Sequence, residues 1–312
     1  MNNYIKENAM RPSPVLRRVI PAVAVGALVL AACGSDDDDT AEPATTSDTD
    51  TTDATDATEP SAEGACAATI DDGVLTIATG QPAFEPWVVG DAPESGEGFE
   101  AAVAYAVAAE MGYDTDAVTW VRTDFNEAIQ PGAKNFDMNL QQFSITEERK
   151  ENIDFSLPYY TTNQAIVALE GSAAEGATTI ADLKGAKLGA QVGTTSLTFI
   201  TEVIQPDQEP FVYNDNVGAK AALEANQIDA AVFDLPTALF VSAVEIEGSS
   251  VIGQFESEDG TSDGFGFVLE KDSELTSCVD EAITAITESG ELEAITDEWL
   301  ADFIEAPVIT NE

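Results

Sequence analysis

The chain has 312 residues, of which 58 are acidic and 12 are basic, so its formal net charge at pH 7 is −46. So acidic a surface argues against nucleic acid as a partner, because phosphate binding requires Lys and Arg. The chain contains no histidine. This absence excludes Ser-His-Asp triads, His-ligated zinc and His-based acid–base catalysis. The composition therefore counts against most hydrolases, and we expect neither a metal nor a cofactor.

The first residues are typical of an export signal. Basic residues precede an apolar, uncharged run over residues 19–32, which ends in the sequence LAAC at Cys33. This pattern predicts a secretory signal, and LAAC resembles a bacterial lipobox. A transmembrane helix needs roughly 20 apolar residues, and the acidic residues 36–39 end this run too early. We therefore expect residues 1–33 to be a lipoprotein signal peptide with lipid on Cys33; a plain signal or a stop-transfer helix is the alternative.

The next segment, residues 34–65, is rich in Asp, Thr, Ala, Glu and Ser and contains no basic residue. It cannot bury a core, so we expect an acidic disordered linker that holds the following domain away from the membrane. The rest of the chain is long enough for one large domain or two lobes. Its two cysteines, Cys66 and Cys278, are expected to form a disulfide in an exported protein; two free buried thiols are the alternative.

Apolar residues alternate, or recur at helical spacing, along the rest of the chain. The first half predicts a strand at 74–79, a helix at 99–111, a strand at 118–122, a short helix at 126–130 and a strand at 136–140. The pattern then restarts, with strands at 166–169, 186–191 and 228–233 and helices at 194–204, 217–226 and 235–244. Two helices separated at Gly290 are predicted over residues 274–303. Two successive strand–helix patterns indicate an α/β fold with two lobes, and ligands bind such sheets beyond the carboxyl ends of the strands.

Three positions carry chemistry of interest. Arg149 offers a bidentate guanidinium, the best side chain for gripping a carboxylate, although a surface charge among neighbouring glutamates is the simpler interpretation. Thr194 and Thr195 begin a predicted helix after a strand, where backbone N–H groups bind anions and where a threonine is also an ordinary N-cap. Asp234 follows an apolar strand, so it either pairs with an ammonium group in a cleft or caps the next helix.

Several motifs in series resemble family 3 solute-binding proteins, which serve ABC importers for polar amino acids. The motifs run in order through the chain: FSITEERK at 143–150, IDFSLPYY at 153–160, ADLKG at 181–185, GAQVGTT at 189–195, IDAAVFDLP at 228–236 and SGEL at 289–292. The resemblance implies a two-lobed fold like that of type II periplasmic binding proteins. The ligand cleft would lie between lobes joined by two hinge crossings, near 161–164 and 260–264. Residues 66–160 and 264–312 would form the first lobe, and residues 161–263 the second.

The resemblance also implies roles for residues that would hold the main-chain groups of an amino acid. Arg149 matches the arginine that clamps the α-carboxylate, with Thr194 and Thr195 as contacts from the second lobe. Ser144 matches a hydroxyl that contributes to the same main-chain groups. Asp234 matches the acid that pairs with the α-ammonium. A zwitterion that loses its water needs an opposite, hydrogen-bonded partner for each charge, so the assignment agrees with the physics.

Other matched positions concern the ligand ammonium and side chain. The backbone of Gln142 matches a contact to the ammonium, Phe84 and Phe125 match aromatics that line the side-chain pocket, and Gln191 matches a position that often faces the side chain. Simple core packing is the alternative for both phenylalanines. Gly80 stands where binders of Lys, Arg or His often carry an acid, which favours a neutral polar ligand. The loop around Phe84 is one residue longer than usual, so Glu85 could take the place of Phe84.

The resemblance implies a binding protein, not an enzyme. It would be the extracytoplasmic, lipid-anchored component of an ABC importer that captures a free amino acid by lobe closure and delivers it to a membrane permease. A monomer suits such a carrier. The alternatives are an enzyme descended from the same fold, such as a dehydratase or a murein-cleaving enzyme, and a sensor component that presents its ligand to a membrane receptor.

Overall fold

The computed structural model describes residues 64–256, 263–303 and 305–311. The predicted signal peptide, the lipid site Cys33 and nearly all of the predicted linker lie outside the described residues. Within the described ranges, no helix has both the length and the apolar character needed to cross a membrane. The strands of these ranges form two five-stranded sheets and one two-stranded ribbon.

The first sheet has the strand order β2-β1-β3-β12-β4. Its strands are β1 (Leu75–Gly80), β2 (Val118–Thr123), β3 (Met138–Asn139), β4 (Asp154–Phe155) and β12 (Val268–Leu269). β2 and β3 flank β1 in parallel, whereas β12 runs antiparallel to both β3 and β4. Every residue of β1 is buried, because a central parallel strand is covered on both faces.

Among the described residues, the α-helices of the first lobe are α1 (Phe99–Glu110), α2 (Phe125–Ala128), α3 (Glu147–Lys150), α8 (Thr276–Glu288) and α9 (Glu291–Leu300). α1 packs against both C-terminal helices, α8 and α9. The core between them contains Phe99, Val107, Val279 and Ile283. The amphipathic spacing of α8 thus buries one face of the helix near the end of the chain against a helix near its beginning.

The second sheet has the strand order β10-β6-β9-β7-β8. Its strands are β6 (Gln164–Leu169), β7 (Leu188–Gln191), β8 (Phe211–Tyr213), β9 (Ala230–Asp234) and β10 (Ser249–Phe255). Its helices are α4 (Ile180–Leu183), α5 (Thr195–Phe199), α6 (Asn216–Glu224) and α7 (Leu235–Phe240). Along β6, Ile166 packs into one apolar cluster and Val167 into another. Both faces of this sheet are therefore covered, as the alternation of side chains along a strand requires.

The chain passes between the two sheets along a ribbon. β5 (Tyr160–Thr162) pairs antiparallel with β11 (Asp263–Phe265). The first strand leads directly into β6, and the second returns the chain to the first sheet. The ribbon lies where the sequence predicts the two hinge crossings.

The tail of the chain returns to the second lobe. Val308 forms a bridge with Gln254 and Thr310 forms one with Thr179, both parallel. Ile309 between them is buried in the core of the second lobe. The sequence-based boundaries assign residues 264–312 to the first lobe, but this tail packs on the second, because the side chain of Ile309 fills the space over Gly253 of β10.

The expected disulfide is confirmed. Cys66 and Cys278 are bonded, with their Cα atoms 5.3 Å apart and 212 positions apart in sequence. The bond ties the segment before β1 to α8, inside the core of the first lobe.

Both sheets are mixed, with β12 and β6 antiparallel to their neighbours. The sequence-based prediction misses β4, β5, β8, β10, β11 and β12. Most of these are two or three residues long, too short for their side chains to show a period.

The predicted helices at 194–204 and 235–244 are each an α-helix followed by a π-helical turn.

Candidate ligand-binding cleft

A cleft opens between the lobes, beyond the carboxyl ends of β1, β2, β7 and β9, where ligands bind in sheets of this kind. Its empty volume is about 920 Å³, including the part that is open to solvent. All nine residues of the predicted ligand site line this cleft: Phe84, Phe125, Gln142, Ser144, Arg149, Gln191, Thr194, Thr195 and Asp234. The structure therefore brings together residues that are as far apart as 150 positions in sequence.

Arg149 is held at the floor of the cleft and is only 8 % exposed. It lies on α3, whose N-cap Thr146 accepts a hydrogen bond from the Arg149 backbone. The guanidinium donates to the carbonyl of Ser144 at 2.7 Å and to that of Gly193, in the second lobe, at 2.9 Å. It also lies 5.4 Å from the centre of the Phe125 ring. The surface-charge interpretation of Arg149 is therefore wrong, since its side chain is buried between the lobes.

The two threonines at the start of α5 have different partners. Thr194 is the N-cap, and its hydroxyl accepts from the Leu197 backbone at 3.2 Å and donates to the carbonyl of Gln191 at 2.7 Å. The hydroxyl of Thr195 lies 3.0 Å from that of Ser144, on the opposite lobe. The capping interpretation thus holds for Thr194, whereas Thr195 faces across the cleft. Gln191 is buried at the end of β7.

Asp234 occupies the N-cap position of α7, but its side chain makes no capping hydrogen bond. One carboxylate oxygen accepts from the side-chain amide of Gln164 at 3.1 Å. The carbonyl of the same amide accepts from the hydroxyl of Ser196 at 2.6 Å. The geometry thus favours the cleft interpretation of Asp234 over the capping one, since Gln164 orients the carboxylate at the cleft wall.

The loop after β1 places Phe84 and not Glu85 at the cleft. Glu85 is exposed and accepts from the Gly90 backbone at 3.2 Å. Phe84 is half-buried, and the ammonium of Lys220, from the second lobe, lies 4.4 Å from the centre of its ring. A Cβ atom on Gly80 would lie 3.2 Å from Oε1 of Gln141. A larger residue at position 80 would therefore have to displace that side chain.

Phe125 and Phe143 stack with their ring centres 4.7 Å apart. Phe143 belongs to the core, whereas Phe125 is half-buried and turns its exposed part to the cleft. The ring of Phe125 therefore packs against the core and also lines the pocket, so both interpretations of this residue hold.

The sequence-based prediction misses a buried acid of the cleft, Glu100. It is 1 % exposed, in the first turn of α1, and it lines the cleft. Its carboxyl group accepts from the hydroxyl of Tyr159 at 2.5 Å and from the backbone of Gln142 at 2.7 Å, and also from the Gln142 side chain. Burial raises the pKa of Glu100 to about 7, against the lowering effect of these three hydrogen bonds. A glutamate in a first turn is ordinarily an exposed partner of the helix dipole, so sequence alone offers no signal for its burial.

Another missed residue is Trp87. It is buried, and its ring N–H donates to the hydroxyl of Thr237, in the second lobe, at 2.9 Å. Further residues that line the cleft without being predicted include Gln141, Asn214, Asp215 and Asn216. The last three follow β8, a strand that the prediction does not include. The sequence pattern therefore does not predict that they lie at the cleft.

A model of the bacterial extracellular solute-binding proteins, family 3, matches residues 75–302. The chain belongs to this family. The match covers both lobes and confirms the resemblance seen in the motifs. Membership of an extracellular family also indicates that the protein works outside the cytoplasm.

Relatives of this family 3 protein include the arginine-binding extracellular protein ArtP of Bacillus subtilis, which is 31 % identical over 217 residues, 65 % of this chain and 77 % of the relative. The L-cystine-binding protein TcyJ of Escherichia coli K12 is 31 % identical over 175 residues, 54 % of this chain and 61 % of the relative. Among solved structures, an ancestral arginine-binding protein bound to glutamine superposes with a TM-score of 0.62 at 29 % identity. That superposition covers 73 % of this chain and 98 % of the other. It confirms the two-lobed, type II fold of the family.

Proposed function

We propose that this family 3 protein captures a free amino acid between its lobes and delivers it to the permease of an ABC importer. One observation carries the proposal: a guanidinium, Arg149, and a carboxylate, Asp234, line the same cleft. Such a pair complements the α-carboxylate and the α-ammonium of an amino acid. The named relatives bind arginine and cystine, which supports the same class of ligand.

The two charges are joined by a series of polar contacts that cross the cleft. Arg149 donates to the backbone of Ser144, whose hydroxyl lies 3.0 Å from that of Thr195. The amide of Gln164 donates to Thr195 at 3.4 Å and to Asp234 at 3.1 Å. A buried zwitterion requires a hydrogen-bonded partner for each of its charges. These side chains are pre-oriented by one another, which reduces the entropy that binding would otherwise lose.

Within this class, we propose a neutral polar side chain. Of the described residues that line the cleft, only Arg149 carries a positive charge, so nothing there favours an acidic ligand. Two acids of the lining already cap helices: Asp124 accepts from the Asn126 backbone and Asp215 from the Gly218 backbone. Gly80 offers no carboxylate for a cationic side chain. Because ArtP binds arginine, the comparison of arginine with glutamine is the decisive titration.

The remaining parts of the proposal concern location. We propose that cleavage before Cys33 and lipidation of that residue anchor the protein to the membrane, with residues 34–65 as a spacer. A monomer would then meet the permease directly. Metabolic labelling with a radioactive fatty acid tests the anchor, since Cys33→Ala should abolish the label, and labelling that persists in this variant would contradict it.

Isothermal titration of the purified full chain with the common amino acids tests the ligand class, after unfolding and refolding remove any ligand carried through purification. Saturable binding of glutamine or another neutral polar amino acid is the expected result. Selective binding of arginine or lysine would overturn the neutral preference and leave the carrier intact. The absence of heat from every amino acid, with the protein folded, would overturn the proposal and favour an enzyme descended from this fold.

Two variants test the site. Arg149→Ala and Asp234→Asn should each weaken binding by about 3 kcal/mol, because each leaves one charge of the ligand buried without a partner. Matched controls remove the same charges elsewhere: Lys271→Ala disrupts an exposed ion pair with Asp154, and Asp297→Asn changes an exposed residue of α9. Unchanged affinity in either site variant would contradict the assignment.

A further inference from the structure

Glu100 is a buried acid whose partners belong to the ligand cleft. Its carboxyl group accepts hydrogen bonds from both the backbone and the side chain of Gln142, and from the hydroxyl of Tyr159. All three partners are donors in these contacts. Both oxygens of an ionised carboxylate accept hydrogen bonds, so the ionised form can accept from all three donors. In a protonated carboxyl group, one oxygen carries a hydrogen and becomes a donor itself. The arrangement is therefore built for the ionised form.

The position of Gln142 depends on this acceptor. Gln142 has a φ of 52°, in the left-handed region that is sparsely populated by residues other than glycine. Such a conformation persists only where the surroundings fix it. Here the backbone N–H and the side chain of Gln142 both bind Glu100. Two residues later, Ser144 presents its carbonyl to Arg149 and its hydroxyl to Thr195.

We propose that Glu100 is a positioning residue for ligand binding: its ionised carboxylate fixes Gln142 and the following turn, and its protonation weakens the binding of the amino acid. The inference rests on the proposed function, since it concerns the affinity of the same cleft. Glu100 acts through Gln142 and Ser144, not by contact with the ligand.

Glu100 changes its charge in a pH range that a binding experiment can cover. Burial raises its pKa to about 7, whereas the pKa of Tyr159 is raised well above its ordinary value by burial and by Glu100, so the tyrosine stays a donor. A further charge, Asp234, acts on Tyr159 through space and also raises its pKa. The chain contains no histidine, the residue that usually titrates near neutral pH. A change in affinity near pH 7 would therefore point to Glu100.

Titration of the full chain with L-glutamine and L-arginine at several values from about pH 6 to about pH 8 tests the inference, because neither ligand changes its charge in that window. We expect affinity to fall about fivefold from the upper to the lower end of the window, as linkage requires if the bound form holds Glu100 ionised. Glu100→Gln should bind more weakly and show a flat profile. A flat wild-type profile, or an unchanged slope in Glu100→Gln, would overturn the inference.

A second pair of variants separates positioning from a general loss of structure. Tyr159→Phe removes a hydrogen bond that favours the ionised carboxylate, so the midpoint of the pH profile should move upward. Tyr105→Phe removes a hydroxyl that contacts Trp120, away from the cleft, and should leave the midpoint unchanged. Equal profiles in these two variants would contradict the role of Glu100.

The backbone amide of Gln142 gives a readout without ligand. Its NMR chemical shift should titrate near neutral pH in the wild-type protein and not in Glu100→Gln. If no amino acid binds at any pH but this amide titrates, the proposed function fails and the coupling of Glu100 to Gln142 stands. If binding occurs and the amide does not titrate, the inference fails alone.

Discussion

Arg149, on the first lobe, donates a hydrogen bond of 2.9 Å to the carbonyl of Gly193, on the second. The same guanidinium is the group proposed to hold the ligand carboxylate. Lobe closure and carboxylate binding therefore involve one side chain, so a bound carboxylate and a closed cleft would stabilise each other. The hydroxyls of Ser144 and Thr195, and Trp87 with Thr237, form further hydrogen bonds between the lobes.

Gly193 is expected to be critical for closure. It has a φ of 75°, and a Cβ atom there would lie 2.1 Å from the side-chain oxygen of Asn126, on the other lobe. Gly193→Ala should weaken ligand binding about fivefold to tenfold, because Asn126 must move before the lobes can meet. Gly171→Ala is the control, since Gly171 has a φ of 81° and open space around it. Titration of both variants with the same amino acid checks the difference.

The double variant Asn126→Ala/Gly193→Ala refines this prediction. Removal of the Asn126 side chain opens the space that the new Cβ needs, so the double variant should recover most of the lost affinity. Backbone strain at position 193 remains in both variants and should cost about 1 kcal/mol of stability. If the double variant binds as weakly as Gly193→Ala, the lost affinity arises from backbone strain and not from the contact between lobes.

Long elements and local motifs explain what the sequence predicts well. The strand at Leu75–Gly80 alternates apolar and polar residues, and the helix at Phe99–Glu110 is a long, largely apolar run that stops before Gly112. The observed bounds of both elements lie within one residue of the predicted ones. The family motifs predict the cleft lining, because Arg149 and Asp234 each lie within a motif that resembles the family. Periodicity alone left both residues with two interpretations each.

The tertiary environment of single residues cannot be predicted from the sequence pattern. Glu100 looks like an exposed first-turn acid, and only the packing of Tyr159 and Gln142 around it reveals a buried carboxyl group. Likewise, residues 306–310 carry no signal for their partner strand. Their pairing with Gln254 depends on where β10 lies in the folded second lobe. Short strands and long-range partners are set by the fold as a whole.

The disulfide should contribute mainly to stability. Cys66 and Cys278 are 212 positions apart, and a bond that closes so long a loop restricts the unfolded chain strongly. Reduction, or the double variant Cys66→Ser/Cys278→Ser, should lower the free energy of unfolding by about 3–5 kcal/mol. Denaturant unfolding with and without a reductant measures this. The double variant is its own control, because a reductant should leave its unfolding unchanged, and a further loss there would show that the reductant acts elsewhere.

The C-terminal tail should stabilise the second lobe through one side chain. Ile309 is 4 % exposed, whereas its neighbour Val308 is 43 % exposed, on the other face of the same extended segment. Ile309→Asp should cost about 3 kcal/mol of stability or more, because it buries an unpaired charge. Val308→Asp should change stability by less than about 0.5 kcal/mol. Equal losses in chemical denaturation would mean that the tail is not packed as observed.

Glu100 should also leave a signature in the pH dependence of stability. Its carboxyl group has an ordinary pKa of 4.5 and a pKa of about 7 in the folded protein, where burial opposes ionisation. The folded protein therefore binds a proton that the unfolded chain releases between these values. The stabilisation that this proton provides is complete below about pH 4.5 and is lost as the pH rises through about 7.

Glu100→Gln cannot ionise, so a comparison with the wild-type protein isolates this effect from every other titrating group. The difference in unfolding free energy, wild type minus variant, should fall by about 3 kcal/mol between pH 4.5 and pH 8, since each unit of pKa shift corresponds to about 1.4 kcal/mol. Urea unfolding of both proteins across this range measures the difference. A flat difference for Glu100→Gln would mean that Glu100 ionises as readily as in the unfolded chain, and the three donors around it would then fully offset the effect of its burial.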